Sequence, residues 1–408
     1  MSMSARFDEK KTSQGMIKTL TFSTLFPNSV MPRHGIFVEN RLRHLLATKE
    51  VETQVVAPVP WFPFTNERFG AYSGFARVPM HESRHGVEVE HPRYPLIPKI
   101  GMSGSPWLMA KAMRGLFAKM IERGPAFDLI DAHYFYPDGV AAVILGGWFQ
   151  KPVVITARGT DVNLIPAHYL PRRWIKWAAR RCAGIITVSE ALRTRLTELG
   201  VEPEKIRTLR NGVDLTLFHC LDSRDALREA MGIKRRTLLS VGHLIERKGH
   251  HIIIDAMPDL ADIELMIAGD GEWQSKLIQQ AKSLGVADRV RFLGALTQPE
   301  LVKYYNAADA LVLASSREGM ANVLLESLAC GTPLVATPIW GTPEVIADRR
   351  AGVLMRERSA AAVADAVTKL FADYPARAEV RNYAENFDWA PTTAGQLSMF
   401  RRALGQQS

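Results

Sequence analysis

The chain has 408 residues, of which 47% are hydrophobic and 23% charged, so its composition excludes wholesale disorder and provides core for two or three domains. The longest apolar run, at residues 139–149, is shorter than the ~18 residues that a membrane-spanning helix needs, and the polar residues 1–15 lack the apolar stretch of a signal peptide. The three cysteines, Cys182, Cys220 and Cys330, exclude a disulfide framework and predict a reducing compartment, the cytoplasm.

The net charge of +9 is divided unevenly along the chain. Residues 1–210 carry 29 Lys and Arg against 18 Asp and Glu, a balance of +11, whereas residues 211–408 carry 22 against 24. A basic half of this kind suggests an anionic partner, such as a membrane, a lipid phosphate or a nucleic acid. A difference in surface charge between two domains that serves no function would give the same imbalance, so both interpretations stay open.

Short β-branched runs alternate with helical patterns along the first half of the chain. These runs predict strands at residues 17–23, 51–57, 127–133, 152–156 and 184–189. Apolar residues recur on one helical face at residues 37–49, and further helices are predicted at 139–149 and 171–183.

The second half repeats the pattern, with helices of about ten residues between its strands. Strands are predicted at residues 237–242, 263–269, 289–294, 308–315 and 333–337. This alternation predicts an α/β fold with two doubly wound, Rossmann-like parallel sheets, whose ligands bind at the carboxyl ends of the strands and hence in a cleft between the sheets. We divide the chain into a flexible segment 1–15, an N-terminal domain 16–218 and a C-terminal domain 219–386, while the tail 387–408 could end there or return to the first domain.

The sequence does not support a metal site. HESRH at residues 81–85 matches a zinc motif, but a preceding proline, a following glycine and an alternating pattern predict a hairpin instead of the helix that the motif needs. The chain has no D-x-D pair to clamp a metal on a nucleotide diphosphate, so no metal site is predicted. The single histidines His243, His250 and His251 are interpreted as surface or helix-capping groups.

The most informative segment is 315–346, where a strand ends, a loop carries Glu318 and a helix that contains Glu326 begins near residue 321. The amides at 320–324 and the helix dipole predict a diphosphate site. The two carboxylates straddle this site, so that one can bind the group on the distal phosphate and the other a nucleoside ribose. A capped surface helix with two ordinary acids is the competing interpretation.

Further candidates fall at the carboxyl ends of predicted strands. Arg247 and Lys248 are two cations that could neutralise a diphosphate without a metal. An Arg-Lys-Gly triplet, however, is often only the solvated start of a helix. In the first half, Gly35 lies in a loop before a helix, where the backbone can approach a phosphate closely. His133 and Asp161 follow strands and are predicted on the same rim, where His133 could equally be a hydrogen-bonded rim residue.

Ten motifs in this order resemble the retaining GT-B glycosyltransferases of family 4, from about Leu20 to Trp389. They are GIFV, HYFYPDG, RGTD, VSEAL, RNGVD, GHLIERKG, IAGDG, REGMANVLLE, ACGTPLVAT and GTPEV. The resemblance implies an enzyme that moves a sugar from a nucleotide-diphosphate donor to a hydroxyl of a glycan or lipid-linked acceptor, in cell-surface or exopolysaccharide synthesis. It also implies retention of anomeric configuration and a C-terminal helix that returns to the first domain. With no D-x-D pair, no metal or other cofactor is expected.

Carried over residue by residue, the resemblance implies a catalytic set and a donor-binding set. The catalytic set is His133, Glu318 and Asp161, and the donor-binding set is Gly35, Arg247, Lys248, Gly319, Met320, Ala321, Asn322, Val323, Leu324 and Glu326. The sequence departs from the family at Arg158, where many members have histidine, so no role is copied onto that residue. Gly-Met-Ala at residues 319–321 replaces the commoner Gly-Phe-Gly, and the segment that begins at Trp340 replaces a Gly-Gly pair. Both changes narrow the space beside the donor and leave its sugar open.

Two rival functions stay open. A sugar-nucleotide epimerase of the GT-B fold would need no second acceptor, and a non-catalytic sugar-nucleotide-binding protein would be expected to lack one of His133, Lys248 or Glu318. All three residues are present with the E-x7-E spacing, and this favours the transferase. Nucleic acid is not predicted as a partner, because the basic half has no recognised reading motif.

Two basic amphipathic stretches in the first half suggest a membrane partner. Residues 106–123 and 170–181 mix Trp and aliphatic residues with Lys and Arg, a pattern typical of helices that lie on anionic membranes. For 170–181, packing on the sheet competes with this interpretation because the stretch leads directly into a strand. The expected location is therefore the cytoplasm, with peripheral attachment to the inner face of the membrane as an open alternative.

Overall fold

The computed structural model describes residues 15–66, 68, 70–96, 101–124 and 127–406, so all but the last residue of the segment predicted to be flexible lies outside the described residues. The chain divides into two compact units. The N-terminal unit comprises Met1–Ile186, Leu196–Arg207 and Thr393–Ser408, and the C-terminal unit comprises Thr187–Arg195 and Thr208–Thr392.

Ten of the strands in the described residues follow the β-branched runs closely. The strands are β1 (Ile17–Phe22), β2 (Val51–Val56), β3 (Val59–Pro60), β4 (His81–Arg84), β5 (Val87–Glu90), β6 (Arg93–Tyr94), β7 (Leu129–His133), β8 (Val153–Ala157), β9 (Gly184–Thr187), β10 (Ile206–Thr208), β11 (Arg236–Val241), β12 (Ile263–Ala268), β13 (Val290–Gly294), β14 (Ala310–Leu313), β15 (Leu334–Ala336) and β16 (Gly352–Leu354).

Helices lie between most of these strands, as βαβ units require. They are α1 (Ile36–Ala47), α2 (Ala71–Arg77), α3 (Ser105–Arg123), α4 (Val140–Phe149), α5 (Thr160–Asn163), α6 (Tyr169–Arg181), α7 (Glu190–Glu198), α8 (Arg224–Ala230), α9 (His250–Ala256), α10 (Gln274–Ser283), α11 (Gln298–Ala307), α12 (Asn322–Ala329), α13 (Thr342–Val345), α14 (Ala360–Ala372), α15 (Arg377–Ala384) and α16 (Trp389–Ala403).

The first sheet has the strand order β10-β9-β8-β7-β1-β2-β5-β4 within the described residues. Strands β2 and β7 both pair with β1 in parallel, so the strand order reverses at β1. The loops that follow β1 and β7 therefore lie side by side at the carboxyl edge of the sheet, which is where such folds bind ligands. The alternating pattern with buried positions such as Leu20, Phe22 and Ile130 supplies the core beneath this edge.

The second sheet is parallel and has the order β13-β12-β11-β14-β15-β16 in the described part of the chain. Its strand order reverses at β11, which pairs with β12 on one side and β14 on the other. The loops after β11 and β14 are neighbours for this reason. The prediction of two Rossmann-like parallel sheets is confirmed.

The HESRH segment forms the predicted hairpin. Strands β4 and β5 pair antiparallel, and His85 (φ 50°) and Gly86 (φ 79°) make the turn between them. Because the segment is a strand, the two histidines of the motif cannot share a helical face, and His81 instead contacts Glu90 across the hairpin at 2.7 Å.

The interpretation of His250 as a surface or capping group is wrong. His250 begins α9, is buried, and its Nδ1 lies 2.9 Å from the Oγ of Ser240 on β11. The helix packs on the sheet with its apolar residues Ile252 and Ile253, and this packing carries the first turn into the interior.

The amphipathic helices divide their apolar and basic residues between core and solvent. On α3, Met109, Met113 and Phe117 are buried, whereas Trp107 is 44% exposed, so the expectation that the aliphatic and aromatic residues of this helix are free for a membrane is wrong for the three buried ones. No helix among the described residues combines the length and apolar character needed to span a bilayer.

Candidate functional site

The loops after β11 and β14 bring together two residues that the sequence predicts separately. Nζ of Lys248 donates to Oε1 of Glu318 at 2.6 Å, and Oγ of Ser315 donates to the same oxygen at 2.9 Å. The side chains of Lys248 and Glu318 are 13% and 10% exposed. A nearly buried ion pair thus marks the carboxyl edge of the second sheet, at the point where its strand order reverses.

Arg247 lies on the same pair of loops. Its Nη1 donates to the backbone oxygen of Arg317 at 3.4 Å, and its own backbone oxygen accepts from the N–H of Ser316 at 2.8 Å. The next residue, Gly249, has φ 76°, and a Cβ there would lie 2.0 Å from the backbone oxygen of Ala314. Only glycine permits this approach, which holds both cations against the loop that carries Glu318.

Helix α12 begins where the sequence predicts, with Ala321 as its N-cap. The N–H of Leu324 donates to the backbone oxygen of Ala321 at 3.1 Å, so the prediction of an available amide at 324 is wrong. Asn322 accepts at Oδ1 from Nδ2 of Asn211 at 2.9 Å. Gly319, Met320, Ala321 and Val323 complete the turn of chain at the positive end of the helix dipole.

Glu326 lies inside α12 and bonds with α11. It accepts from the hydroxyl of Tyr305 at 2.7 Å and from Nε2 of Gln298 at 3.2 Å. Burial raises the pKa of Glu326, and the two donors oppose this rise. The sequence gives no hint of Tyr305 or Gln298, because both belong to a helix whose pattern looks ordinary.

In the N-terminal unit, His133 ends β7 and Arg158 follows β8, the neighbouring strand. Nε2 of His133 lies 3.1 Å from Oδ2 of Asp131, and Nη2 of Arg158 lies 2.7 Å from Nδ1 of His133. All three residues are buried. Burial lowers the pKa of His133, and the positive charge of Arg158 lowers it further while Asp131 raises it.

Asp161 holds two loops together at the same edge. Its carboxylate accepts from the backbone N–H groups of Phe135, Gly159 and Arg158 at 2.6, 2.7 and 3.1 Å. Burial raises its pKa, whereas these N–H groups lower it. The carboxylate joins the loop after β7 to the loop after β8, and its catalytic role stays a prediction.

Gly35 immediately precedes α1 and has φ 69°. A Cβ there would lie 2.3 Å from the backbone carbonyl of Leu25, so the chain requires glycine for its own packing. The loop beneath it is fixed by Asp138, which accepts from the N–H of Thr24 at 2.7 Å. Among the residues that the structure describes, no cluster of His, Cys, Asp or Glu is arranged to hold a metal ion.

Both halves of the chain match known families. Residues 37–217 match the model described as Glycosyltransferase Family 4, and residues 223–387 match the model described as Glycosyl transferases group 1.

Individual proteins resemble the chain over most of its length. TuaC of Bacillus subtilis, assigned to teichuronic acid biosynthesis as a glycosyltransferase, is 26% identical over 360 residues, which cover 86% of this chain and 89% of that protein. The D-inositol 3-phosphate glycosyltransferase of Mycobacterium tuberculosis is 30% identical over 324 residues, 73% of this chain and 66% of that protein. The structure of Alr3699/HepE of Anabaena in complex with UDP has a TM-score of 0.70 and 21% identity, with 94% of this chain and 99% of that chain covered.

Proposed function

Since this chain belongs to the GT-B glycosyltransferases, we propose that it is a retaining, metal-independent enzyme that moves a sugar from a nucleotide-diphosphate donor to a hydroxyl of a glycan or lipid-linked acceptor. The observation that carries the proposal is the ion pair of Lys248 and Glu318 at the carboxyl edge of the second sheet. It puts a cation for phosphate and a carboxylate for sugar hydroxyls side by side at the opening of α12.

The donor diphosphate is assigned to Lys248, Arg247 and the first turn of α12. An ammonium group has three donors, so Lys248 can keep its bond to Glu318 and still bind phosphate oxygens. The helix dipole adds positive potential at the same place. Two cations and a helix N-terminus supply the charge that a divalent metal would otherwise supply, and the UDP complex of the related fold supports a nucleoside diphosphate as the ligand.

The donor sugar is assigned to Glu318 and the ribose to Glu326. Within the described residues both bonds to Glu318 reach Oε1, which leaves Oε2 for hydroxyl groups of the sugar. Glu326 is held in one orientation by Tyr305 and Gln298, and a carboxylate so fixed suits a ribose with two adjacent hydroxyls. Gly35 is assigned to the diphosphate, and His133 and Asp161 to the reacting end of the donor.

The chemistry that these groups support is cleavage of the bond between the sugar and the diphosphate. Positive charge develops on the sugar while negative charge develops on the leaving phosphate, so fixed cations and amides lower the barrier. Attack by the acceptor hydroxyl from the face that the diphosphate leaves gives retention. An oxygen of the leaving phosphate can take the acceptor's proton, so the reaction needs no dedicated base.

We propose that the acceptor is an intermediate of cell-surface polysaccharide synthesis and that it is used at the inner face of the membrane. The similarity to TuaC supports this proposal. The exposed face of α3 carries Lys111, Arg114 and Lys119 beside Trp107. Cations near an anionic lipid surface each contribute about 1 kcal/mol. We therefore propose peripheral attachment through this basic face.

A screen of nucleotide sugars against thermal unfolding tests the proposal. UDP-glucose, UDP-galactose, UDP-N-acetylglucosamine and GDP-mannose are compared, with Lys248→Ala as the control protein. A ligand at about 100 times its Kd adds about 2.7 kcal/mol of stability. We expect at least one to raise the unfolding midpoint of the wild type more than that of the variant. Equal midpoints with and without every compound would contradict the proposal.

A further inference from the structure

A continuous chain of buried polar side chains extends from His133 to the C-terminal helix of the protein. Its members share hydrogen bonds and are each at most 8% exposed: Arg41, Gln396, Asp131, His133 and Arg158. Nε of Arg41 donates to Oε1 of Gln396 at 2.8 Å. Nε2 of Gln396 donates to Oδ2 of Asp131 at 2.9 Å, and the same oxygen lies 3.1 Å from Nε2 of His133.

The chemistry of these groups fixes the proton on His133. A guanidinium can only donate, so Nδ1 of His133 must accept the bond from Arg158. Burial lowers the pKa of Arg158 to about 9, and this residue therefore stays protonated at neutral pH. The proton of the neutral imidazole then lies on Nε2 and is donated to Asp131, so both ring nitrogens are engaged inside the protein.

We propose that Gln396 is a positioning residue for sugar transfer, which acts through Asp131 to hold His133 as a neutral imidazole with its proton on Nε2. Nδ1 of that imidazole in turn holds the guanidinium of Arg158 over the ring of Phe37, at 5.2 Å. The inference rests on the proposed function, because it assumes that this rim faces the reacting sugar.

Gln396 is suited to this task because its amide offers one acceptor to Arg41 and one donor to Asp131. Its contribution comes from α16, 265 residues away from Asp131 in the chain. The charged groups around His133 are Asp131 on β7, Arg41 on α1, and Arg158 and Asp161 after β8. A neutral imidazole among them holds Arg158 in place through its hydrogen bonds and does not transfer a proton.

The first test observes the imidazole directly and needs no activity. Nitrogen-15 spectra of labelled histidine distinguish the two neutral tautomers and the imidazolium, and the signal of His133 is assigned by its absence from His133→Gln. We expect an Nε2–H imidazole whose pKa lies below the ordinary value of histidine. A signal that titrates near its ordinary pKa, or an Nδ1–H tautomer, would overturn the inference.

The second test measures turnover of the nucleotide sugar selected by thermal protection. Gln396→Leu removes both bonds and should lower kcat about tenfold or more with little change in KM for the donor. Met399→Ala is the matched control, because Met399 is buried on the same helix, lies against Gly184 and has no amide that could replace the one at Gln396. It should loosen α16 without lowering kcat comparably.

Gln396→Glu gives a readout that packing alone would not produce. A protonated carboxyl group keeps one donor for Asp131 and one acceptor for Arg41, whereas the ionised form places two carboxylates together. Its kcat should approach the wild-type value near pH 6 and fall as pH rises toward about 8.5, while wild-type kcat stays level. His133→Gln, which also offers a donor and an acceptor, should retain more turnover than His133→Ala.

The outcomes separate this inference from the proposed function. If no nucleotide sugar is turned over or bound, the proposed function fails while the tautomer measurement still decides the state of His133. If the wild type is active but Gln396→Leu matches Met399→Ala in kcat, and Gln396→Glu keeps the wild-type pH profile, the positioning role is wrong.

Discussion

The pairing of Lys248 with Glu318 is the contact on which the donor site depends. Replacement of Lys248 or Arg247 by Ala removes a charge-assisted bond to the diphosphate, worth about 1.5–3 kcal/mol. We expect folding to persist and donor affinity and turnover to fall, more for Lys248 because its charge is nearly buried. Nucleotide titrations and turnover with EDTA present measure both effects.

The exposed Lys276 on α10 provides the control for this prediction, because it belongs to the same unit and faces solvent. Lys276→Ala should leave donor affinity unchanged. Strict dependence of turnover on added divalent metal would contradict the assignment of the diphosphate to these cations.

Replacement of the two carboxylates of the E-x7-E pair, Glu318 and Glu326, should affect different kinetic parameters. Glu318→Gln should lower kcat, because its contacts to the sugar strengthen as charge develops there, whereas Glu326→Gln should mainly raise KM for the donor. Tyr305→Phe offers a matched control, since it removes only the hydroxyl that donates to Glu326. Steady-state kinetics of the three variants decide the matter, and equal losses of kcat at both carboxylates would reject the distinction.

Buried His250 gives the protein a pH-dependent stability. Burial lowers its pKa to about 4, below the ordinary 6.5, with Lys248 adding to the effect. As pH falls from about 6.5 to 4, His250 binds a proton in the unfolded chain but not in the folded one. The free energy of unfolding therefore decreases by up to about 3 kcal/mol. Urea unfolding at several pH values should show this loss in the wild type.

His250→Gln keeps a hydrogen-bonding group for Ser240 but cannot titrate in this range. The variant should lose less stability on acidification than the wild type does, while the exposed His243→Gln should behave as the wild type. An identical pH dependence in all three proteins would show that His250 does not take part.

At the scale of elements, the sequence predicts what depends on local pattern. The β-branched runs locate the central strands of both sheets but miss β10 and β16, and the glycine after HESRH together with its alternation predicts the hairpin. The start of α12 is also readable, because its turn residues lie next to one another in the chain. These features succeed because neighbouring residues determine them.

Features that depend on contacts between residues far apart in sequence cannot be predicted from local sequence pattern. His250 stands beside a basic, polar segment typical of a surface, and only the packing of α9 on the sheet buries it. Gln396 lies on the last helix, far from Asp131 in sequence, and meets it only in the folded unit. Asp131 alone had a usable signal, since it lies two residues before His133 and therefore on the same face of β7.

Helix α3 carries the prediction on membrane binding. Its buried face packs inside its own unit, so attachment depends on the exposed cations and Trp107. Joint replacement of Lys111, Arg114 and Lys119 by Glu should weaken binding to anionic vesicles, and salt should weaken wild-type binding in the same way. Vesicle sedimentation at two salt concentrations measures both effects.

A triple replacement of Lys276, Lys282 and Lys303 by Glu changes the net charge equally on exposed positions of the C-terminal unit. This control should bind vesicles as the wild type does. If the wild type ignores anionic vesicles at low salt, or if the two triple variants bind alike, the basic face of α3 is not a membrane surface, and the charge asymmetry is a difference in surface charge that serves no function.

For the whole molecule, topology decides which residues can act together. Each unit reverses its strand order at one central strand, β1 or β11, and each brings its candidate residues to the carboxyl edge beside that strand. The order of motifs along the chain is therefore less informative than the strand each one follows. Lys248 and Glu318 are 70 residues apart in sequence and 2.6 Å apart in the fold.

The most direct test of the central claim is the anomeric configuration of the product. Proton NMR follows the anomeric signal of the sugar released or transferred from the nucleotide sugar that best protects the protein, with EDTA present throughout. We expect the first product to keep the donor's configuration and Lys248→Ala to slow its appearance. A first product of inverted configuration, or no turnover of any nucleotide sugar, would contradict the central claim.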